Sequence, residues 1–159
     1  MVKISIVCVG KIKDKYLIEG IKEYQKRLSK YCSLQFVELE DEKIFENSND
    51  SLDKIVKDKE SKRVIDKIPD GYSYLLDVYG KETSSEDFAI DLQKTIDQGN
   101  SKITFVIAGS LGPSEELRNK VNKKISLSKM TFTHQMTRLI LLEQIYRCFK
   151  INNNEVYHK

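Results

Sequence analysis

The chain has 159 residues, 40% hydrophobic and 32% charged, with seven glycines and two prolines. That length predicts one domain with its own core, and the composition excludes disordered, collagenous and linker-dominated classes. No apolar run approaches the ~18 residues of a membrane span, so no membrane partner is expected. The start, Met1 to Val9, reads as a strand rather than a signal peptide. Cys8, Cys32 and Cys148 are scattered and odd in number. They fit neither a metal site nor a disulfide framework, and suit a reduced cytoplasmic protein. The net charge of +3 is uneven: Arg118 to Lys159 holds nine Lys/Arg against two acids, leaving eighteen bases and twenty-two acids before it. A basic C-terminal quarter suits a polyanion such as RNA, although a solvated lysine-rich face gives the same count.

In chain order, Val2–Val9 is a β-branched strand, and Lys15 to Leu28 sets Leu17, Ile21, Tyr24 and Leu28 on one helical face. Leu34–Leu39 is the second strand. A charged helix follows from about Ser51 to Lys67, with Leu52, Ile55, Val56, Val64, Ile65 and Ile68 as its apolar positions. Pro69-Asp70-Gly71 is a turn, and Tyr72–Val78 a third strand ended by Gly80. Ser84 or Ser85 caps the next helix, whose Phe88, Leu92 and Ile96 point inward. Ile103–Ala108 is apolar except for Thr104, hence a strand buried on both faces. Ser114 caps a short helix, Ile125–Leu127 begins a short strand, and Thr133 caps a last helix running to about Ile151. This alternation predicts a single α/β domain with a mainly parallel sheet and helices on both faces.

Ligands in such sheets lie beyond the carboxyl ends of the strands. Gly10 stands alone after the first strand, so the glycine fingerprints of dinucleotide and P-loop sites are missing. The small residues come later: Gly80, then Gly109-Ser110-Leu111-Gly112, then Ser126 to Phe132. Three such strand ends could offer backbone groups to a nucleoside cofactor; ordinary turn chemistry explains them equally well. The last helix is apolar around nearly its whole circumference at Leu139 to Leu142, Ile145, Tyr146 and Phe149. It needs either a second copy to cover it or a central place on the sheet. Arg138, Glu143 and Arg147 interrupt that ring and must be paired or reserved for a ligand. Both histidines, His134 and His158, fall in the basic quarter.

Gly109-Ser110-Leu111-Gly112, Leu127 to Gln135, Arg138, Glu143 to Arg147 and the terminal Tyr157-His158-Lys159 together resemble the RlmH family of SPOUT methyltransferases. The likeness runs the full length, including Gly10-Lys11, Asp41-Glu42-Lys43 and Gly80-Lys81. It implies a C-terminal trefoil knot, a homodimer and S-adenosylmethionine bound at Leu76, Ala108, Gly109 and the run Leu127, Ser128, Lys129, Met130, Thr131 and Phe132. It also implies a ribosomal partner, N3 of a pseudouridine in the helix-69 stem-loop of 23S rRNA being the methyl acceptor. On the RNA side the expected residues are Lys129, Arg138, Arg147, Tyr157 and Lys159. The expected catalytic group is His158 as proton acceptor with Arg138, Glu143 and Tyr157, Glu143 orienting Arg138 or Arg147 and His134 shaping the cofactor loop. Two departures stand out: Ala108 where the family usually has glycine, and Thr133 where it tends to have proline. Ala108 leaves room for a ribosome-binding protein weakened in catalysis; a SPOUT enzyme acting on tRNA is the other alternative.

Overall fold

Strand β1 (Val2–Val9) is buried from Ile4 to Val9 and alternates between two cores. Ile4, Ile6 and Cys8 enter one, Val7 and Val9 the other, as the two-residue period of a strand requires. In the computed structural model, which describes residues 1–158, this strand lies near the middle of a parallel sheet. Lys159, expected at the RNA, lies outside the described residues. Among those residues five strands pair in the order β2-β1-β4-β3-β5: β1, β2 (Cys32–Leu39), β3 (Tyr72–Glu82), β4 (Lys102–Ile107) and β5 (Lys123–Ser126). β4 is buried from Ile103 to Ile107, as its run of apolar residues around Thr104 predicts.

Helices α1 (Lys15–Leu28), α3 (Ser85–Asp97) and α5 (His134–Asn152) cover one face; α2 (Asp50–Lys67) and α4 (Glu115–Lys120) cover the other. The expected caps form. Ser84 Oγ accepts the Asp87 N–H, Ser114 Oγ the Leu117 N–H and Thr133 Oγ1 the Met136 N–H. Asn49 caps α2 through the Leu52 N–H.

Two expectations are corrected. Leu52 and Ile55 are exposed, because α2 docks through Val56, Glu60, Ser61 and Val64 and frees its first turns. β3 does not stop at Gly80; it shifts register between Leu76 and Lys81 and then pairs again with β5. Within one chain α5 takes a central place: it lies between α1 and α3, which bury Leu141, Leu142, Ile145, Cys148 and Phe149, while Leu139, Ile140 and Tyr146 stay partly exposed. Gly20 allows the close approach, since a Cβ there would come 3.1 Å from Leu139 Cδ1.

Removing the buried Leu142 side chain by Leu142→Ala is expected to cost about 2–5 kcal/mol in urea unfolding. Leu52→Ala, at the exposed end of α2, is expected to change stability by less than about 0.5 kcal/mol.

Candidate functional site

The register shift in β3 builds the first wall. Asp77, Val78, Tyr79 and Gly80 leave the ladder between the two paired stretches. At Gly80 a Cβ would lie 2.9 Å from the Ile125 backbone nitrogen, so only glycine lets the strand fold back against β5. The buried Asp77 carboxylate accepts from Arg118 Nε at 2.8 Å and from the Tyr79 N–H at 3.1 Å, which holds the excursion open. Arg118 also lies over the Tyr79 ring, 5.9 Å from its centroid.

The second wall follows β4. Ala108 and Gly109 continue into a turn closed by the Gly112 N–H on the Gly109 carbonyl at 3.0 Å. α2 braces this turn from behind, where Ser61 Oγ accepts the Ser114 N–H at 2.9 Å. The third wall follows β5. Ser126 Oγ donates to the Ser128 carbonyl at 2.9 Å, and Ser128 Oγ accepts the Met130 N–H at 3.0 Å. These serines fix the loop by local turns, as short hydroxylated side chains do.

The walls enclose a cavity of about 800 Å³, closed on its far side by Thr133, His134 and Gln135 at the start of α5. Eight of the nine positions expected to hold the cofactor line it: Leu76, Ala108, Gly109, Leu127, Ser128, Met130, Thr131 and Phe132. Lys129 is exposed and is not part of the lining. Val78, Tyr79, Met130 and Phe132 are exposed apolar groups around the cavity. Asp77, Tyr79 and Arg118 also belong to it, and sequence reasoning missed them. Gly80 was the available signal, read as a strand end rather than a fold-back.

His134 faces this region with its ring beside Gly10, whose Cβ would lie 3.2 Å from Nε2. Burial, followed by the Arg138 charge, pulls its pKa below the ordinary 6.5, while Asp41 opposes. It is thus held neutral at the wall.

A second cluster gathers where the tail returns to α5. Asn154, with φ 54°, reverses the chain. Glu143 Oε1 accepts from Arg147 Nη2 at 2.7 Å, from Arg147 Nε at 3.2 Å and from the Tyr157 hydroxyl at 3.0 Å. Arg147 lies over the Tyr157 ring at 4.7 Å, and Tyr157 stands edge-on to Tyr146. His158 Nδ1 is 3.1 Å from Arg147 Nη1 and its Nε2 is 2.6 Å from Glu86 Oε1. Arg147 can only donate, so Nδ1 accepts and Nε2 carries the proton toward Glu86.

Of the two arginines that Glu143 could orient, it holds Arg147. Arg138 sits apart, 4% exposed, donating to Glu38 Oε2 at 2.8 Å and to the Gly10 carbonyl at 3.2 Å. Among the described residues its Nε has no partner. A guanidinium so enclosed pins α5 to the ends of β1 and β2, and within this chain it stands apart from Arg147, which shares its expected RNA-facing role. None of Arg138, Glu143, Arg147, Tyr157 and His158 lines the cavity. At 1.5 Å per residue, Glu143 and Arg147 lie roughly 13–20 Å along α5 from His134. Among the described residues no cluster of His, Cys, Asp or Glu could hold a metal ion, and no helix is long and apolar enough to cross a membrane.

The profile of a family described as "Predicted SPOUT methyltransferase" matches residues 2–158. The Ribosomal RNA large subunit methyltransferase H of Clostridioides difficile is 52% identical over 157 residues, 98% of this chain and 99% of that protein. The proteins of the same name from Exiguobacterium sibiricum and Bacillus cereus are each 51% identical, the first covering 99% of both chains and the second 98% of this chain and 99% of its own. Among solved structures, a methyltransferase of Legionella pneumophila in complex with bound SAM superposes with TM-score 0.51 at 9% identity, over 93% of this chain and 66% of that one. A methylase-family protein of Haemophilus influenzae superposes with TM-score 0.54 at 12% identity, over 100% of this chain and 72% of that one. At such low identity the two solved structures speak for the fold alone.

Because an unfolded chain binds a proton at His134 before the folded one does, stability is expected to rise with pH through the window just below 6.5. It should be fully present above that value and lost as pH falls toward the lowered folded pKa. Urea unfolding across this range measures the slope, and His134→Gln should flatten it.

Proposed function

The chain belongs to the SPOUT methyltransferase family, and on that premise we propose that it methylates N3 of a pseudouridine in 23S rRNA, in the helix-69 stem-loop of assembled ribosomes. The single observation that carries the cofactor side is the cavity at three adjacent strand ends, lined by the positions the family resemblance assigns to S-adenosylmethionine. The residues present fit that group. The volume lies within the ~300–1,000 Å³ of small-molecule sites, and the wall mixes apolar side chains with main-chain groups and the hydroxyls of Ser128 and Thr131.

Bound there, S-adenosylmethionine supplies an electrophilic methyl group on a sulfonium. Leu76, Leu127, Met130 and Phe132 would border the donor with apolar surface, and the main chain at Gly109, Ser126–Ser128 and Met130–Thr131 would offer it polar contacts. His134, held neutral, adds no positive charge beside a cationic donor. On the acceptor side, N3 must be brought in line with the methyl and lose its proton, so positioning carries much of the acceleration. Arg147 and Lys129 are the cations assigned to phosphate, and Tyr157 the ring assigned to an extruded base. Ordered by Glu143, Arg147 and Tyr157 form one rigid unit. His158 can accept the N3 proton only after giving up Arg147 at Nδ1.

Within one chain the tail cluster is pinned away from the cavity, so a site needing both is completed by a second copy. The exposed Val78, Tyr79, Met130 and Phe132 around the cavity support such a homodimer. A cytoplasmic location follows from a ribosomal substrate.

Labelled methyl from S-adenosylmethionine is expected to enter ribosomes lacking the modification, at a single pseudouridine located by mapping, and not bulk tRNA. Label in tRNA alone, or ribosome binding without cofactor binding, would replace this reading with one of its two rivals. The composite site has its own test. A Gly109→Val protein and a Tyr157→Ala protein, each inactive alone, should recover about a quarter of wild-type activity when subunits are mixed equally and exchange freely. Recovery absent after confirmed exchange would assign cavity and tail to one subunit.

A further inference from the structure

Glu60 is a charged residue that catalysis, as derived above, does not use. It sits on α2 at 6% exposure, and its carboxylate has one hydrogen bond, Oε2 accepting the Glu42 N–H at 2.9 Å. The other oxygen lies against the cofactor loop: a Cβ at Gly109 would be 2.7 Å from Oε1. Burial, foremost, raises its pKa and the Asp41 and Glu42 charges add to this, while the hydrogen bond from the Glu42 N–H and the Arg63 charge oppose. Arg63 does not pair with it; its guanidinium holds the Glu42 carboxylate and donates to the Glu40 carbonyl at 3.0 Å. A buried carboxylate without a cation in contact is costly unless something else supplies the positive charge.

The cavity beyond Gly109 has the opposite deficit. Asp77 is the one carboxylate among its described lining residues, and Arg118 already neutralises it. Lys57 adds a positive charge to the same wall. A cationic ligand there would find no free negative charge in the lining itself. Gly109 lies between the two: it lines the cavity, and its main chain meets Glu60 on the other side.

We propose that Glu60 is the counter-charge for the methyl donor, acting through the Gly109 main chain to favour the cationic sulfonium over its neutral product. Glu60 thereby acts as a positioning residue, not a catalytic one. It holds S-adenosylmethionine more tightly than S-adenosylhomocysteine and helps the product leave once the charge is gone. This rests on the cavity being the cofactor site, and the experiment separates the two claims.

Binding of S-adenosylmethionine and of S-adenosylhomocysteine is measured by calorimetry on the full chain, wild type against Glu60→Gln and Glu60→Asp. Glutamine keeps the size and still accepts the Glu42 N–H, so the loop brace survives. For Glu60→Gln the donor Kd is expected to rise about five- to tenfold while the product Kd stays within about twofold, the scale of one charge pair at partial burial. Glu60→Asp, which keeps the charge, should recover most of the difference. Equal weakening of both ligands would make Glu60 a structural brace, and no change in either would make it a bystander; each overturns the proposal. If wild-type protein binds neither ligand, the cofactor reading of the cavity fails with it.

Discussion

The cavity depends on a steric constraint at the edge of the sheet. β3 runs beside both β4 and β5, and it cannot stay in continuous register with β5. Its surplus residues, Asp77 to Gly80, must be accommodated, and the Ile125 main chain leaves no space for a side chain at the fold-back. Glycine at that point sends Val78 and Tyr79 outward and turns Asp77 in. The carboxylate of Asp77 then has to find a cation, and Arg118 of α4 is the one that reaches it. One missing Cβ thus couples the outer strand, the short helix and the cavity wall. That coupling makes the site part of the scaffold rather than a loop laid over it.

The remaining walls are held from opposite faces of the sheet. On one face α2 docks through Val56 and Val64, and between them Glu60 and Ser61 meet the turn that follows β4. On the other, α5 enters next to Gly10 and is tied there by the enclosed guanidinium of Arg138. Burying that charge is expensive, and the unpartnered Nε adds to the cost. The return is a fixed location for the α5 N-terminus, and hence for His134, relative to β1. Arg138 can be read as a registering contact, the use for which buried charges are best attested.

Much of this was legible in the chain. The 3.6-residue period located α1 and α3, each with one apolar stripe, and the hydroxyl caps Ser84 and Thr133 located the starts of α3 and α5. The small residues after β3, β4 and β5 pointed to the cavity, since strand ends that approach a ligand need main chain without bulk. What failed were inferences needing a partner that lies far away in sequence. Leu52 and Ile55 have the hydrophobicity of core residues, but no element lies above them. The ring of apolar groups on α5 left its cover open, and only the fold shows α1 and α3, from distant parts of the same chain, burying one side of it. Arg138 and Arg147 looked alike as basic residues in a basic quarter; only the fold shows one enclosed by Glu38 and Gly10 and the other stacked on Tyr157.

That difference bears on how methyl transfer is organised. A donor with a sulfonium is best served by a wall without excess positive charge, while an RNA acceptor needs cations close by. In this fold the two demands are met at different places along α5. At its start, burial and the nearby Arg138 charge lower the His134 pKa, and Arg138 is itself paired with Glu38. Three turns further on, Arg147 and the tail aromatics cluster on Glu143. A single helix therefore carries a charge-poor end at the cavity and a charge-rich cluster further along. Under the proposed reading that separation keeps cations away from a cationic donor, and a reaction that needs both parts has to be completed by a second copy.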